Sequence, residues 1–131
     1  MAELRVAALQ MDLAWEDRTE NHRRARAMAE RAAGEGAQLL VLPEMCIPGY
    51  SLGDRLMMRG TLDRSWEILQ KILGKTRGMV VLVGLPVRHR DVLYNCVAVC
   101  ANGTLVGLVP KENLATGDVQ YENRWFSGWP P

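Results

Sequence analysis

Two short apolar runs, residues 38–42 (QLLVL) and 79–85 (MVVLVGL), constrain the fold of this chain more than any other feature. Each is almost uninterrupted rather than alternating. That is the pattern of a strand buried on both faces, found where helices pack on an interior strand. Residues 4–10 (LRVAALQ) read as a further short buried strand. Asp17 follows as a helix cap, with Glu20 three places on to complete a capping box. This first helix is expected to extend to Ala33 and stop at Gly34, with Ala25, Met28, Ala29 and Ala32 on one face. Side chains that small let a helix approach a sheet closely. Thr61 is expected to cap a second helix, whose Leu62, Trp66, Leu69 and Leu73 form a narrow apolar stripe ending at Gly74. Residues 92–100 and 104–110 complete the strands. Ala101-Asn102-Gly103 between them is a hairpin signal, because Asn and Gly accept positive φ. The order β-α-β-α-β-β-β describes an α/β fold with a mixed sheet.

Composition narrows the function classes. A chain of 131 residues suffices for one domain with a real core. Sixteen basic and fifteen acidic residues nearly cancel, so no electrostatic footprint for nucleic acid or an anionic membrane is expected. No apolar segment is long enough to span a bilayer, and the opening Met1-Ala2-Glu3-Leu4-Arg5 lacks the basic start of a signal peptide. Cys46, Cys96 and Cys100 are odd in number and lack zinc-ligand spacing. Neither a disulfide framework nor a metal site is expected, and a reducing cytoplasm is the default location.

The chemistry concentrates where strands end. Leu42-Pro43-Glu44 puts a carboxylate immediately after a buried strand, and Pro48-Gly49-Tyr50 turns the chain soon afterwards. Val109-Pro110-Lys111 repeats the arrangement with a cation. Taken singly, Glu44 reads as a structural carboxylate or as a general acid or base, and Lys111 as a surface lysine or a site residue. Taken together, two opposite charges at strand ends suit a crevice of the kind where open α/β sheets bind ligands.

Five segments in order carry a family resemblance: residues 42–50 (LPEMCIPGY), 84–87 (GLPV), 94–96 (YNC), 110–114 (PKENL) and 122–126 (ENRWF). They resemble the nitrilase superfamily of carbon–nitrogen hydrolases. The last of them is similar to a segment of the glutaminase domains of glutamine-dependent NAD synthetases. The resemblance implies a four-layer α-β-β-α sandwich, of which residues 1–131 would supply the N-terminal part as a mixed sheet with helices on one face. It implies a Glu-Lys-Cys mechanism acting on glutamine, with Glu44 as general base, Lys111 as the donor to the oxyanion, Glu122 supporting the lysine and Tyr50 lining the substrate pocket. For Glu122 the other reading is a solvated loop carboxylate, and for Tyr50 plain packing.

The family's nucleophilic cysteine lies beyond the lysine, on a later strand that residues 1–131 do not reach. None of the three cysteines is expected to replace it. Cys96 and Cys100, four apart on one strand, should share a face as small buried hydrophobes. ATP and Mg²⁺ are implied only for a synthetase half absent from this sequence, in which no Gly-rich phosphate loop occurs. No cofactor is expected for the glutaminase chemistry, and assembly as a homo-oligomer is implied for the full-length protein. The competing expectations are a non-catalytic nitrilase-like module and an amidase acting on another small amide.

Overall fold

The computed structural model describes residues 3–14 and 17–130. Five strands, β1 (Val6–Ala8), β2 (Leu39–Val41), β3 (Val80–His89), β4 (Val92–Ala101) and β5 (Thr104–Pro110), form one sheet in sequence order. β1, β2 and β3 are parallel, and β4 and β5 each add antiparallel to the preceding strand. The crossovers are the helices α1 (Arg18–Gly34) and α2 (Arg59–Leu73). Both pack on the same face of the sheet, where Ala25, Ala29 and Ala32 from α1 and Ile68, Leu69 and Ile72 from α2 meet Leu40, Val81, Val83 and Ala98. The expected mixed α/β sheet with helices on one face is the fold observed.

Asp17 caps α1 by accepting a hydrogen bond from the Glu20 backbone N–H at 2.9 Å. The reciprocal half of the box does not form. The Glu20 carboxylate instead accepts from Arg23 and Arg24, whose hydrogen bonds lower its pKa to about 2. Helix α2 corrects two expectations. It begins at Arg59 with Met58 as its cap, so Thr61 sits inside the helix, buried, with its carbonyl accepting from Ser65 Oγ at 2.8 Å. Its buried face comprises Thr61, Ser65, Ile68, Leu69, Ile72 and Leu73, while Trp66 is 40% exposed. The large apolar side chains suggested a stripe about one position out of register. Small Thr61 and Ser65 are the residues that allow the helix to close on the sheet.

β3 runs four residues beyond its expected end, through Pro86, and joins β4 by a two-residue turn at Arg90-Asp91. Both turn residues have positive φ, 48° and 64°, as a type I′ hairpin requires, although neither is the Asn or Gly that such turns favour. The Asn102-Gly103 turn, with φ of 50° and 82°, has the favoured pair. Replacing Arg90-Asp91 by Asn-Gly is therefore expected to raise unfolding stability by roughly 1 kcal/mol in a urea titration. No gain would mean that the native pair is held by something other than turn geometry.

The face opposite the helices is apolar along its length, with Val6, Leu39, Val41, Val80, Leu82, Val97, Val99 and Val109 partly or largely exposed. Near the β3–β4 hairpin a second cluster, Met45, Leu56, Leu93 and Phe126, anchors the loops that follow β2 and β5.

Candidate active site

Strand directions bring the charged residues to one edge. β4 is antiparallel to both neighbours, so β5 runs the same way as β1, β2 and β3. Glu44 after β2 and Lys111 after β5 consequently emerge at the same end of the sheet, where β4 begins. Direction alone is insufficient, because β3 and β4 lie between them, about 14 Å across at ordinary strand spacing. The gap is closed by the 43–45 backbone crossing over β3 at Gly84. A Cβ built on Gly84 would collide with the Met45 N and lie 2.7 Å from the Pro43 O and 3.0 Å from the Glu44 C. The crossing is held by hydrogen bonds from Leu42 N to Leu82 O (2.9 Å) and from Cys46 N to Pro43 O (3.2 Å).

At the end of that crossing Glu44 Oε1 accepts from Lys111 Nζ at 2.9 Å and from Asn95 Nδ2 at 2.6 Å. The same ammonium donates to Glu122 Oε2 at 2.9 Å and Oε1 at 3.2 Å. Asn95 Nδ2 also donates to Glu122 Oε1, at 3.2 Å. Glu122 Oε2 accepts the Ala115 backbone N–H at 2.6 Å, and the Tyr50 hydroxyl faces the same carboxylate. The main chain of Lys111 is fixed on both sides: its N–H donates to Asn95 O at 2.8 Å, and its carbonyl accepts from Trp129 N at 3.0 Å. Gly128 makes the second contact possible, since a Cβ there would collide with the Glu112 carbonyl.

Burial grades the cluster. The Glu122 side chain is 1% exposed, that of Lys111 31% and that of Glu44 48%. Burial acts to raise the Glu122 pKa, but the Ala115 amide, Lys111 and Tyr50 outweigh it and hold the carboxyl below its usual value. Burial acts to lower the Lys111 pKa, but its two carboxylate partners outweigh it and keep the ammonium protonated above the usual lysine value. Tyr50 is pushed up, first by burial and then by the Glu122 carboxylate that it faces. The result is a fixed cation between two carboxylates, one buried and one open to solvent. It lies on a recess of about 390 Å³ lined by Leu42, Glu44, Gly84, Asn95, Val97 and Lys111.

All four residues singled out by sequence are thus in one place, and Glu122 is a buried carboxylate rather than a solvated one. Sequence reading missed two participants. Asn95 had a visible signal, as a carboxamide in an otherwise apolar strand. Gly84 had none, because its role depends on which backbone crosses it. A further tie, Asp54, accepts two hydrogen bonds from Arg124 (2.8 and 2.9 Å) and one from Trp125 Nε1 (2.9 Å). These bonds lower the Asp54 pKa to about 2 and tether the turn Gly53–Met57 to the turn Glu122–Arg124. Of the cysteines, Cys96 lines the same recess and Cys46 follows Glu44 by two residues, but among the described residues no thiol hydrogen-bonds to Glu44, Lys111 or Glu122. Cys46, Cys96 and Cys100 are buried and unpaired by disulfides. Burial pushes the Cys46 thiol up to about 12 and those of Cys96 and Cys100 to about 11. Among the described residues no group of three His, Cys, Asp or Glu side chains is arranged to hold a metal ion, and no helix is long and apolar enough to cross a membrane.

The carbon–nitrogen hydrolase family profile matches residues 5–127. A glutamine-dependent NAD(+) synthetase from Oryza sativa subsp. indica is 36% identical over 128 residues, covering 96% of this chain and 17% of that protein. The crystal structure of a glutamine-dependent NAD(+) synthetase from Cytophaga hutchinsonii superposes with a TM-score of 0.94 at 31% identity, covering 97% of this chain and 22% of that one. An amidase from Nesterenkonia sp. superposes with a TM-score of 0.82 at 20% identity over 98% of this chain and 49% of its own, a likeness of fold alone. This chain therefore spans under a quarter of the length of the two synthetases.

Proposed function

The chain belongs to the carbon–nitrogen hydrolase family, a family of enzymes, and on that premise we propose that residues 1–131 form the N-terminal part of a nitrilase-like glutaminase domain. Its reaction is hydrolysis of the glutamine carboxamide, releasing ammonia for the amidation of deamido-NAD to NAD. The observation that carries this reading is Lys111 Nζ held 2.9 Å from both Glu44 and Glu122 at one end of the sheet.

In this reading Glu44, the carboxylate open to solvent, takes the proton from a cysteine thiol. The thiolate attacks the amide carbon, and the charge that develops on the carbonyl oxygen is met by the Lys111 ammonium. Glu44 then returns the proton to the departing nitrogen as the C–N bond breaks, leaving a thioester and ammonia. Water cleaves the thioester to glutamate and regenerates the thiol. Glu122 holds the lysine in place. Tyr50 faces Glu122 but does not line the recess beside Glu44 and Lys111, so its place in the substrate pocket rests on the resemblance alone. The nucleophile comes from outside these residues, a reading supported by the burial and raised pKa of all three thiols. The apolar face opposite the helices is the surface that the second sheet of an α-β-β-α sandwich would cover. ATP and Mg²⁺ chemistry is assigned outside these residues, which offer no phosphate-binding loop. Three free thiols suit a reducing cytoplasm, and the resemblance favours a homo-oligomer.

The test is ammonia release from glutamine by two proteins. One is the 131-residue chain alone, expected to be inactive. The other is a chimera in which these residues replace the matching segment of a glutamine-dependent NAD synthetase, expected to be active. In the chimera Glu44→Gln should lower kcat by about a hundredfold or more. An inactive but folded chimera would favour the competing reading of a non-catalytic module. Release by the chain alone, abolished by Glu44→Gln, would overturn the external nucleophile. A chimera active on other small amides but not on glutamine would favour an amidase.

A further inference from the structure

We propose that Asn95 is a positioning residue that locks Oε1 of Glu44 and leaves Oε2 as the oxygen that exchanges the proton. The inference rests on the reading of Glu44 as the general base. Glu44 Oε1 receives two donors, Asn95 Nδ2 at 2.6 Å and Lys111 Nζ at 2.9 Å. Two hydrogen bonds satisfy the lone pairs of one carboxylate oxygen. Among the described residues no donor reaches Oε2, so the two oxygens of this carboxylate are inequivalent: one is anchored, the other available.

The orientation of the Asn95 amide follows from chemistry. Carboxylates only accept, so the nitrogen must face Glu44 and Glu122, with one N–H to each. The residue is 4% exposed and lies on β4, whose pairing with β3 and β5 leaves little freedom. Its carbonyl also accepts the Lys111 backbone N–H at 2.8 Å. One residue therefore sets the side chain of Glu44, one oxygen of Glu122 and the main chain of Lys111. A neutral donor is the suitable choice. A cation here would compete with Lys111 for both carboxylates, and an acid would repel them.

Asn95→Asp tests this, because the two side chains are nearly isosteric and only the donor is lost. At about pH 8 the introduced carboxylate faces two others. Its folded pKa is accordingly raised above the unfolded value of about 3.9, and the stability it retains at low pH is lost as pH rises through the folded value. The expected result on the 131-residue chain is a stability deficit against wild type that is wide at about pH 8 and closes on acidification towards about pH 4.5. Adding Glu44→Gln, whose amide can donate to the new carboxylate, should recover part of the deficit. A deficit independent of pH, or unchanged by Glu44→Gln, would overturn the proposal. If Asn95→Asp folds at no pH, the double-mutant cycle of Asn95→Ala with Glu44→Gln decides: non-additive changes support the coupling and additive ones sink it. In the chimera, Asn95→Ala should lower kcat by up to about a hundredfold with little change in KM, as expected for a displaced base. The stability cycle needs no hydrolysis, so a failed glutaminase assay and a failed positioning role are separable results.

Discussion

Glu122→Gln is expected to lower the unfolding stability of the chain by about 3 kcal/mol at neutral pH. The Glu122 side chain is 1% exposed, and every group aimed at it is a donor: the Ala115 N–H, Lys111 Nζ, Asn95 Nδ2 and the Tyr50 hydroxyl. A glutamine there must present its own N–H₂ to one of those donors and leaves the ammonium with a single carboxylate. The effect carries a pH signature. The Glu122 carboxyl is held below its unfolded value, so its stabilisation is complete above that value, about 4.3, and is lost as pH falls through the lower folded value. Lys111 is raised, so its stabilisation persists through neutral pH and fades only above about 10.4. Urea titrations should therefore show a constant gap between wild type and Glu122→Gln from about pH 6 to 8, narrowing below about pH 4. A gap under about 0.5 kcal/mol at neutral pH would show that the cluster does not hold the loops together.

The second large effect is steric. Gly84→Ala is expected to cost about 2–3 kcal/mol, because the added methyl meets backbone atoms of Pro43, Glu44 and Met45 rather than a side-chain tip that could swing away. The penalty should fall on geometry as well as stability, displacing Glu44 from Asn95 and Lys111. The hydrogen bonds of Asn95 Nδ2 to the two carboxylates are expected to shift its side-chain amide protons downfield, and loss of that shift in a ¹H–¹⁵N spectrum of Gly84→Ala would report the displacement. Gly60→Ala is the control. It lies in α2 with nothing within 4 Å of the added carbon, so it should be neutral or slightly stabilising. Equal effects at the two positions would refute the crossing as the reason for glycine at 84.

The contrast between α2 and the strands explains which parts of the fold were legible beforehand. The apolar runs 38–42 and 79–85 marked β2 and β3 as strands, but neither their ends nor their covering by helices on one face only was legible. Leu40, Val81 and Val83 are buried, whereas Leu39, Val41, Val80 and Leu82 on the other face are only partly so, against the expectation of burial on both faces. β3 extends through Pro86 because its backbone partner there is Asn95 of β4, a pairing that local sequence does not announce. In α2 hydrophobicity alone favours a face centred on the large Leu62 and Trp66, whereas close packing required the small Thr61 and Ser65. Arg90-Asp91 forms a type I′ turn without the usual residues because the paired strands impose it.

The sequence by itself determined the strand and helix order, a mixed sheet and the candidacy of Glu44, Lys111, Glu122 and Tyr50. Those features are local: they follow from hydrophobic periodicity, turn chemistry and motif order. Only the tertiary structure decided that these residues meet. Their meeting requires the reversed direction of β4, which returns β5 to the direction of β2, and a glycine at 84 over which the Glu44 backbone can pass. It also revealed Asn95 as the residue joining both carboxylates. Contacts between residues 51 and 67 positions apart depend on how the sheet is threaded, and strand pairing across the chain is a cooperative outcome that no local pattern encodes.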